Sequence, residues 1–302
     1  MNNKKLIIGS SGFLGRTIIK ALTESTTQPD SVYRSVRTNN QISIAPHSIE
    51  TNKLMSIEEF FFETDKDIQI INCASSRYAR SKDESKRANY LIPKRVLEIA
   101  TVSCPQEITW IQPESFWQYT LDSAPDLEYV YWKNRFGSEL DEILITSNNF
   151  ECTRVILPHL FGVNDTHTRF IPKLFRKLLC EDLVYINGSE DDFVIADILD
   201  VANYCLQILE NDLITPNERI VLFPYHEISL ERLVNKFLDV HGISPQIVWN
   251  EFSSSSNPSM NMRPDFFGVP ANVVLTSLET SLSNIGSWLI QDINKTSSTL
   301  AQ

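Results

Sequence analysis

The sequence predicts a doubly wound, parallel α/β fold with a smaller α/β lobe toward its carboxyl end. Short apolar runs alternate with amphipathic segments of helical length, an order that is typical of strands joined by crossover helices. A glycine-rich segment stands directly between the first apolar run and the first amphipathic segment. The chain has 302 residues, which is enough for one large core and a second, smaller one.

The first strand is predicted at Leu6–Ile8, because this apolar run is continuous, as in a strand that is buried on both faces of a sheet. A helix follows at Phe13–Leu22, where apolar side chains recur with helical spacing. The same criteria predict further strands and helices. The strands begin at 31 or lie at 68–71, 108–111 and 152–157, and the helices lie at 89–100, 128–146, 170–180 and 197–209. A third strand is expected at 52–54. In such a sheet, ligands bind at the carboxyl ends of the strands.

The formal charge of −11 argues against a nucleic-acid partner and against an anionic membrane, since both would repel much of the surface. We therefore expect a small-molecule substrate. An anionic cofactor is compatible with this charge, because the N terminus of a helix binds phosphate locally.

The five cysteines are scattered and form no Cys-x-x-Cys pair, so neither a disulfide framework nor a metal site is expected. The sequence shows no signal-peptide pattern and no apolar stretch long enough to cross a membrane. These observations predict a cytoplasmic protein.

The glycine-rich segment, Gly9–Gly15, has the pattern G-x-x-G-x-x-G between a strand and a helix, the context in which it binds a dinucleotide. Gly9 permits the tight turn out of the strand, and Gly12 lets the backbone approach a pyrophosphate. Gly15 lets the helix pack closely against the sheet. The N terminus of that helix then directs N–H groups at the phosphates.

Several segments resemble, in the same order, the extended short-chain dehydrogenase/reductase family, which includes nucleotide-sugar epimerases, dehydratases and ketoreductases. The glycine loop is similar to the dinucleotide loop of that family, and Ile71–Ser75 resembles its fourth-strand motif. Further similarity covers nearly the whole chain, at Asn89–Ala100, Phe161–Gly162, Phe170–Pro172, Asp192–Val194 and Ala196–Asp197.

The resemblance implies a Rossmann-type NAD(P)-binding domain formed by residues 1–162 with about 189–215, and a substrate-binding lobe formed by 163–188 with about 216–302. It also implies a homodimer, because the helices at 89–100 and 128–146 are similar to those that the family packs into an intersubunit bundle. The cofactor-binding residues that it implies are Gly9, Ser11, Gly12, Phe13, Leu14, Gly15, Asn72 and Ala74. The substrate-binding residues that it implies are Ser75, Ser76, Phe170 and Lys173.

The second strand indicates NADP as the cofactor, with NAD as the alternative. No acidic residue stands at the end of Val32–Arg37 to accept the ribose hydroxyls of NAD. Arg34 and Arg37 suit a 2′-phosphate instead, although they are equally compatible with solvated charges on an exposed turn.

Tyr129 and Lys133 form a Y-x-x-x-K pattern on a predicted helix, where a spacing of four residues places both side chains on one face. A nearby ammonium favours the tyrosinate, so Tyr129 is suited to exchange a proton with a substrate oxygen. Within the family resemblance, Lys133 also holds the nicotinamide ribose, and the cofactor supplies the hydride.

The segment after the strand at 108–111 departs from the family, which carries a serine or threonine where this chain has Pro113. Proline has no side-chain donor and no backbone N–H, so it cannot bind the substrate oxygen. Ser115 is one candidate substitute. Glu114 is the other, in an acid/base role. Three functions remain open: a ketoreductase, an epimerase or dehydratase, and a dinucleotide-binding regulatory protein without catalysis.

The residues beyond the strand at 152–157 are assigned only by the resemblance. His159 is implied to contact the cofactor, and a solvated or capping histidine is the alternative. Phe170 and Lys173 are implied to face a nucleotide sugar, with Lys173 pairing with a diphosphate, but a plain amphipathic surface helix explains them equally well.

Overall fold

The protein is described here by a computed structural model that covers residues 3–25, 32–38, 41–47, 54–77, 79–104, 106–119, 127–166, 168–188, 192–210, 220–251 and 273–300. These residues fall into two compact units. The first contains the described residues up to 157 and those of 202–223. The second contains those of 158–201, 224–251 and 273–300.

The strands and helices are numbered in chain order. The strands are β1 (Lys4–Ile8), β2 (Val32–Thr38), β3 (Gln41–Pro46), β4 (Met55–Ser56), β5 (Ile68–Asn72), β6 (Ile108–Ser115), β7 (Phe150–Leu157), β8 (His159–Phe161), β9 (Leu183–Gly188), β10 (Asp192–Asp197), β11 (Ile220–Leu222), β12 (His226–Ser229) and β13 (Gln246–Glu251). The α-helices are α1 (Phe13–Ser25), α2 (Ile57–Phe62), α3 (Lys82–Lys86), α4 (Ile92–Ser103), α5 (Leu127–Thr146), α6 (Phe170–Cys180), α7 (Ile198–Leu209), α8 (Leu230–His241) and α9 (Leu278–Leu300). A π-helix spans Arg87–Leu91 and a 3-10 helix spans Phe116–Gln118.

The first unit is built on an eight-stranded sheet with the order β11-β7-β6-β5-β1-β2-β3-β4. From β2 through β1, β5, β6 and β7 to β11 the strands are parallel. Strand β1 is central, and Leu6, Ile7 and Ile8 are all buried, as the continuous apolar run predicts. The predicted doubly wound α/β fold is confirmed.

The edge of the sheet beyond β2 differs from the sequence prediction. We expected a third strand at 52–54, of which 52 and 53 lie outside the described residues and Leu54 is not in a strand. The neighbour of β2 is β3, which runs antiparallel to it, with Thr38 paired to Gln41. So short a connection permits only an antiparallel hairpin. The missed signal was the alternation of Ile42 and Ile44 with polar residues, which is typical of a strand.

One face of the sheet is covered by α2, α4 and α5, whose apolar side chains form the main core of the first unit. Phe61 from α2, Val96 from α4 and Phe136 from α5 pack in one cluster with Trp110 of β6. Each such side chain contributes about 1.5–3 kcal/mol when it is fully removed from water. This packing fixes α5 against β6.

The helix expected at 89–100 is longer than predicted and changes its winding. It begins as α3, passes through the π-helix and continues as α4. Pro93 explains the change, because its ring cannot lie against the carbonyl of Asn89 in a regular α-helix and it lacks an N–H. A single wider turn accommodates it, and such turns occur often at functional sites.

The second unit contains a sheet with the order β12-β10-β8 and a two-stranded sheet of β13 and β9. Its core lies among α6, α8 and α9, where Phe175 stacks on Phe237 with 3.9 Å between ring centroids. We expected residues from about 189 to 215 to return to the large sheet. Strand β10, which lies in this range, pairs with β8 and β12 of the second unit instead. The strand that joins the large sheet is β11, which pairs with β7. Among the helices of the described ranges, none is long and apolar enough to span a membrane.

Candidate functional site

The glycine loop has the geometry that its three glycines require. Gly9 has φ of +73°, and a Cβ there would lie 2.5 Å from the backbone nitrogen of Ala74. A Cβ at Gly15 would lie 2.4 Å from the carbonyl oxygen of Gly9, so α1 packs directly on the loop. The N–H of Gly12 donates to the same oxygen at 3.0 Å. The loop is therefore closed and leaves no room for side chains at Gly9 and Gly15.

Ser35, in the middle of β2, ties its strand to this loop. Its Oγ accepts a hydrogen bond from the N–H of Gly9, and its carbonyl accepts one from the hydroxyl of Ser10, both at 3.0 Å. The sequence prediction for this strand considered only charged residues and passed over the serine. Arg34, the residue before it, is exposed. The side chain of Arg37 lies outside the described residues.

A cavity of about 370 Å³ lies in the first unit beside the glycine loop. It brings together the loop, the middle of β2, the segment after β5 and the helical segment that contains the π-helix. Five cofactor or substrate predictions lie in its wall at Gly9, Gly12, Ala74, Ser75 and Ser76, and a sixth lies there at Ser11. The remaining lining residues are Ser35, Val36, Cys73, Glu84, Ala88 and Ile92. Among the described residues of the first unit that the sequence assigns to the site, nine do not line it: Phe13, Leu14, Gly15, Arg34, Asn72, Glu114, Ser115, Tyr129 and Lys133.

Asn89 of the π-helix holds the segment that follows β5. Its Oδ1 accepts hydrogen bonds from the hydroxyl of Ser75 at 3.1 Å and the N–H of Ser76 at 3.0 Å. Its Nδ2 donates to the carbonyls of Ser76 and Ser85. Because Asn89 is buried, these bonds are shielded from water and fix one wall of the cavity.

Asn72 and Gln112 link the same segment to β6. The Oδ1 of Asn72 accepts from the N–H of Ala74 at 3.2 Å, and its Nδ2 donates to Oε1 of Gln112 at 2.9 Å. Nε2 of Gln112 in turn donates to the carbonyl oxygen of Pro113 at 3.0 Å. The predicted contact of Asn72 with cofactor stays a prediction, and its side chain here supports the cavity wall.

The structure brings Tyr129 and Lys133 together on α5. Each is 7% exposed, and Nζ of Lys133 lies 5.7 Å from the centroid of the Tyr129 ring. Nζ also donates to the carbonyl oxygen of Pro113 at 3.2 Å. Burial and then Cys205 raise the pKa of the Cys73 thiol well above its ordinary value, and the Lys133 ammonium opposes that rise. Lys133 therefore acts electrostatically on a residue that lines the cavity.

Glu114 and Ser115, the two candidate substitutes for the missing hydroxyl, have different surroundings. Glu114 is buried and paired with Arg154 at 2.9 Å, and the hydroxyl of Tyr119 donates to its other oxygen. Burial and the Glu114 charge raise the pKa of Tyr119 above its ordinary value. Burial lowers the pKa of Arg154, but the Glu114 charge, Tyr119, the hydrogen bond to Glu114 and the Asp141 charge together outweigh it, and the pKa ends above its ordinary value.

Ser115 caps the 3-10 helix at Phe116–Gln118 and is half-buried. Its Oγ accepts from the N–H of Trp117 at 3.4 Å, and Oε1 of Gln118 accepts from its backbone N–H at 2.9 Å. Trp117 lies under Arg77, whose guanidinium carbon is 5.2 Å from the indole centroid. Arg77 follows the cavity-lining Ser76 and was not among the predicted site residues.

The remaining predicted residues belong to the second unit. His159 begins β8 and is half-buried, with its backbone paired to Ile195 of β10. Phe170 opens α6 and is 53% exposed, and Lys173 is exposed one turn later. Exposed positions at the start of a helix suit ligand contact, and their predicted roles stay predictions.

A comparison of the sequence with known families gives one match that covers most of the chain. Residues 5–222 match the NAD dependent epimerase/dehydratase family. The chain belongs to this family. The resemblance seen in the sequence motifs is thereby confirmed. Among curated protein sequences, none matches the chain.

Solved structures of similar fold include several proteins with related names. A GDP-L-fucose synthetase from Naegleria fowleri bound to NADP has a TM-score of 0.69 at 11% identity, covering 97% of this chain and 94% of that one. A mutant UDP-glucuronic acid 4-epimerase from Bacillus cereus, with a fluorinated UDP-sugar and NAD, has a TM-score of 0.68 at 13% identity, covering 95% and 99%. The protein RMD from Pseudomonas aeruginosa with NADPH has a TM-score of 0.65 at 15% identity, covering 96% and 100%. At these identities the likeness shows a common fold.

Proposed function

We propose that this member of the NAD-dependent epimerase/dehydratase family is an NADP-dependent reductase that acts on a keto group of a nucleotide-linked deoxysugar. The observation that carries the proposal is the pair of Tyr129 and Lys133, buried together on α5 beside the end of β6. Hydride addition to a carbonyl needs a proton donor for the resulting oxygen, and a phenol next to an ammonium is suited to that role.

The glycine-loop side of the cavity in the first unit has a lining that suits the pyrophosphate of a nicotinamide dinucleotide. A Cβ at Gly9 or Gly15 would overlap backbone atoms, and the nearest atom to a Cβ at Gly12 is already 3.2 Å away. Such a bare loop lets a pyrophosphate approach the backbone, with Ser11 and Gly12 beside it and the first N–H groups of α1, at Phe13 and Leu14, directed at the anion. When bound, the cofactor supplies the hydride.

Four charged or polar groups bear on the choice between NADP and NAD. Ser35 is neutral where an NAD site usually has an acidic residue, and the exposed Arg34 is suited to a 2′-phosphate. Glu84 lines the cavity and acts in the opposite direction, since a carboxylate repels phosphate and favours ribose hydroxyls. We give Ser35 more weight because its Oγ is hydrogen-bonded to the glycine loop, and the exposed Arg34 precedes it on the same strand. We propose that Arg37, on the same strand, also contacts the 2′-phosphate of NADP.

In the proposed reaction, Tyr129 donates its phenolic proton to the oxygen of the substrate keto group while hydride adds to the carbon. The carbonyl becomes a secondary alcohol, and Tyr129 becomes a tyrosinate. The ammonium of Lys133 stabilises that negative charge, since it lies close to the ring. Solvent then returns a proton to Tyr129.

Ser115 is the auxiliary donor in this proposal. Its Oγ accepts a hydrogen bond from Trp117, and a hydroxyl that accepts still carries its own proton to donate. Both oxygens of Glu114 already accept hydrogen bonds, from Arg154 and Tyr119. These contacts favour a role for Glu114 in positioning its neighbours over a role as proton donor. A reductase handles one hydride and one proton in one direction, and it tolerates a weakened auxiliary donor better than an epimerase does.

The substrate class rests on the family and on the second unit. Lys173 and Phe170 are proposed to contact a nucleotide sugar, with Lys173 near its diphosphate, and His159 is proposed to contact the cofactor. In similar structures, the B. cereus epimerase binds a UDP-sugar with NAD, and the fucose synthetase binds NADP.

A homodimer through α4 and α5 is part of the same proposal. Four apolar side chains on or next to these helices are exposed, at Leu91, Val102, Tyr131 and Ile145. Exposed apolar groups on neighbouring helices favour association. Sedimentation equilibrium should give twice the chain mass at micromolar concentration, and a monomer there would reject the dimer.

The proposed activity is tested by adding NADPH and a panel of 4-keto-6-deoxy nucleotide sugars to the protein and following cofactor absorbance. The proposal expects oxidation of NADPH with at least one member of the panel, at a higher rate than with NADH. A product that differs from its substrate only in stereochemistry, without net NADPH oxidation, would support an epimerase instead.

A non-catalytic, dinucleotide-binding regulator is the second candidate, and Pro113 is the observation that favours it. Neither Pro113 nor the fully engaged Glu114 offers a hydroxyl or a carboxyl proton to a substrate oxygen. Tight NADPH binding without turnover across the panel would support this function over the reductase.

A further inference from the structure

A buried ion pair joins β6 and β7 near the Tyr129–Lys133 pair. Nε and Nη2 of Arg154 each lie 2.9 Å from Oε1 of Glu114. The Glu114 side chain is 1% exposed and that of Arg154 is 12% exposed. The hydroxyl of Tyr119 donates to Oε2 of Glu114. The carboxylate is therefore held on both oxygens.

The same guanidinium contacts α5. Nη1 of Arg154 lies 3.1 Å from Oδ1 of Asp141, and a Cβ at Gly137 would lie 2.7 Å from Nη2 of Arg154. Gly137 and Asp141 follow Tyr129 and Lys133 at intervals of four residues, so all four lie along one stripe of the helix. One end of the stripe carries the proposed proton donor, and the other end lies against Arg154.

Strand β6 completes the arrangement, because Glu114 directly follows Pro113. The carbonyl of Pro113 binds Nζ of Lys133 at 3.2 Å, and the carboxylate of Glu114 binds Arg154. Two adjacent residues of one strand thus bind α5 at two separate points, one directly and one through the guanidinium. Two separate contacts prevent a rigid helix from both sliding and rotating relative to the strand. A single contact would still allow the helix to rotate about it.

We infer that Glu114 and Arg154 are positioning residues, which set the place of α5 along β6 and so keep Lys133 at the Pro113 carbonyl. Their importance for turnover rests on the proposed function, through the roles of Tyr129 and Lys133. A buried ion pair adds little stability by itself, since the cost of desolvating both charges offsets most of their attraction. Gly137 has a matching role, because it leaves the space that the guanidinium occupies.

The test is the reactivity of Lys133 toward acetic anhydride in the full-length, cofactor-free protein, measured by mass spectrometry relative to the exposed Lys20. In Gly137→Ala the new methyl group displaces the guanidinium, and in Glu114→Gln the ion pair is lost. In both variants we expect the relative acetylation rate of Lys133 to rise roughly tenfold. This factor corresponds to a loss of about 1.4 kcal/mol in the local stability that shields Lys133 from the reagent. The matched control is Asp292→Asn, which breaks the Arg176–Asp292 pair of the second unit and should leave Lys133 unchanged.

A rescue variant separates positioning from general destabilisation. Lysine has no Nη2, so Arg154→Lys removes the atom that the new methyl group at position 137 would overlap. The double variant Gly137→Ala with Arg154→Lys should therefore return the rate toward that of wild type. An unchanged acetylation rate of Lys133 in folded Gly137→Ala would overturn the inference. A higher acetylation rate in the double variant than in Gly137→Ala would also overturn it. The labelling needs neither cofactor nor substrate. If the protein binds no dinucleotide, only the proposed function fails.

Discussion

Lys133 of α5 donates a hydrogen bond from Nζ to the carbonyl oxygen of Pro113, over 3.2 Å, and Pro113 is the residue that the sequence resemblance predicts in place of a hydroxyl side chain. The same carbonyl accepts from Gln112, which is bonded to Asn72 below the cavity wall. A continuous set of hydrogen bonds therefore connects the segment after β5 with the lysine of the proposed active site. Proline removes a side-chain donor there, but its carbonyl still fixes the lysine.

Replacing Lys133 by Met should lower the free energy of unfolding by about 1 kcal/mol, because the Pro113 carbonyl loses one of its two donors. It should also weaken NADPH binding, since the ammonium is proposed to hold the nicotinamide ribose. Urea unfolding and fluorescence titration measure the two effects. Lys20→Met, at an exposed position, is the control and should change neither. NADPH affinity equal to that of wild type in Lys133→Met would contradict the proposed contact.

The glycines of the loop should separate stability from binding. Gly15→Ala is expected to lower the free energy of unfolding by about 1–3 kcal/mol, because its Cβ meets the Gly9 carbonyl at 2.4 Å. Gly12→Ala should lower it by less, since its Cβ meets the same carbonyl oxygen at 3.2 Å, but should weaken NADPH binding by blocking the pyrophosphate. If Gly12→Ala bound NADPH as tightly as wild type, the pyrophosphate would lie elsewhere.

Asn89→Ala should destabilise the protein by about 1–3 kcal/mol, because the partly buried N–H of Ser76 and the neighbouring carbonyls lose their partner. NADPH affinity should fall as well, since Ser75 and Ser76 line the cavity. Asn250→Ala is the matched control, because Asn250 makes an exposed amide contact with Asn187. Equal unfolding midpoints for the two variants would show that the Asn89 network is dispensable.

Cofactor preference should respond to charge at Ser35 of β2. Ser35→Asp places a carboxylate where it can accept ribose hydroxyls, so the ratio of NADH to NADPH affinity should rise roughly tenfold, or about 1.4 kcal/mol. Asparagine has nearly the size of aspartate but no charge, so Ser35→Asn should leave this ratio near that of wild type. Glu84→Gln should shift the ratio toward NADPH. Titration of each variant with both cofactors measures this, and tighter NADH binding by wild type would contradict the assignment of NADP.

The sequence was sufficient to predict those parts of the fold that depend on local pattern. The buried run at Leu6–Ile8, the glycine loop and the spacing of Tyr129 and Lys133 each follow from residue type and period, and the structure places them as expected. The β2–β3 hairpin was missed because the family pattern suggested a parallel strand at 52–54 instead.

The parts of the site that could not be predicted depend on contacts between distant segments. Glu114 and Arg154 are forty positions apart, and nothing in either segment alone indicates that they pair. Ser35 was passed over because the search on that strand was for charge, whereas its contact is with the backbone of Gly9. The π-helix at Asn89 had a visible cause in Pro93, but its consequence for the cavity wall required the fold.

The most direct test of the proposed reaction uses NADPH that carries deuterium at the transferred position, with the 4-keto-6-deoxy nucleotide sugar that gives turnover. We predict one deuterium on the former carbonyl carbon of the product, and a turnover number lowered by a factor of about 10²–10⁴ in Tyr129→Phe. Turnover without deuterium in the product, or turnover that Tyr129→Phe leaves unchanged, would contradict the proposed mechanism.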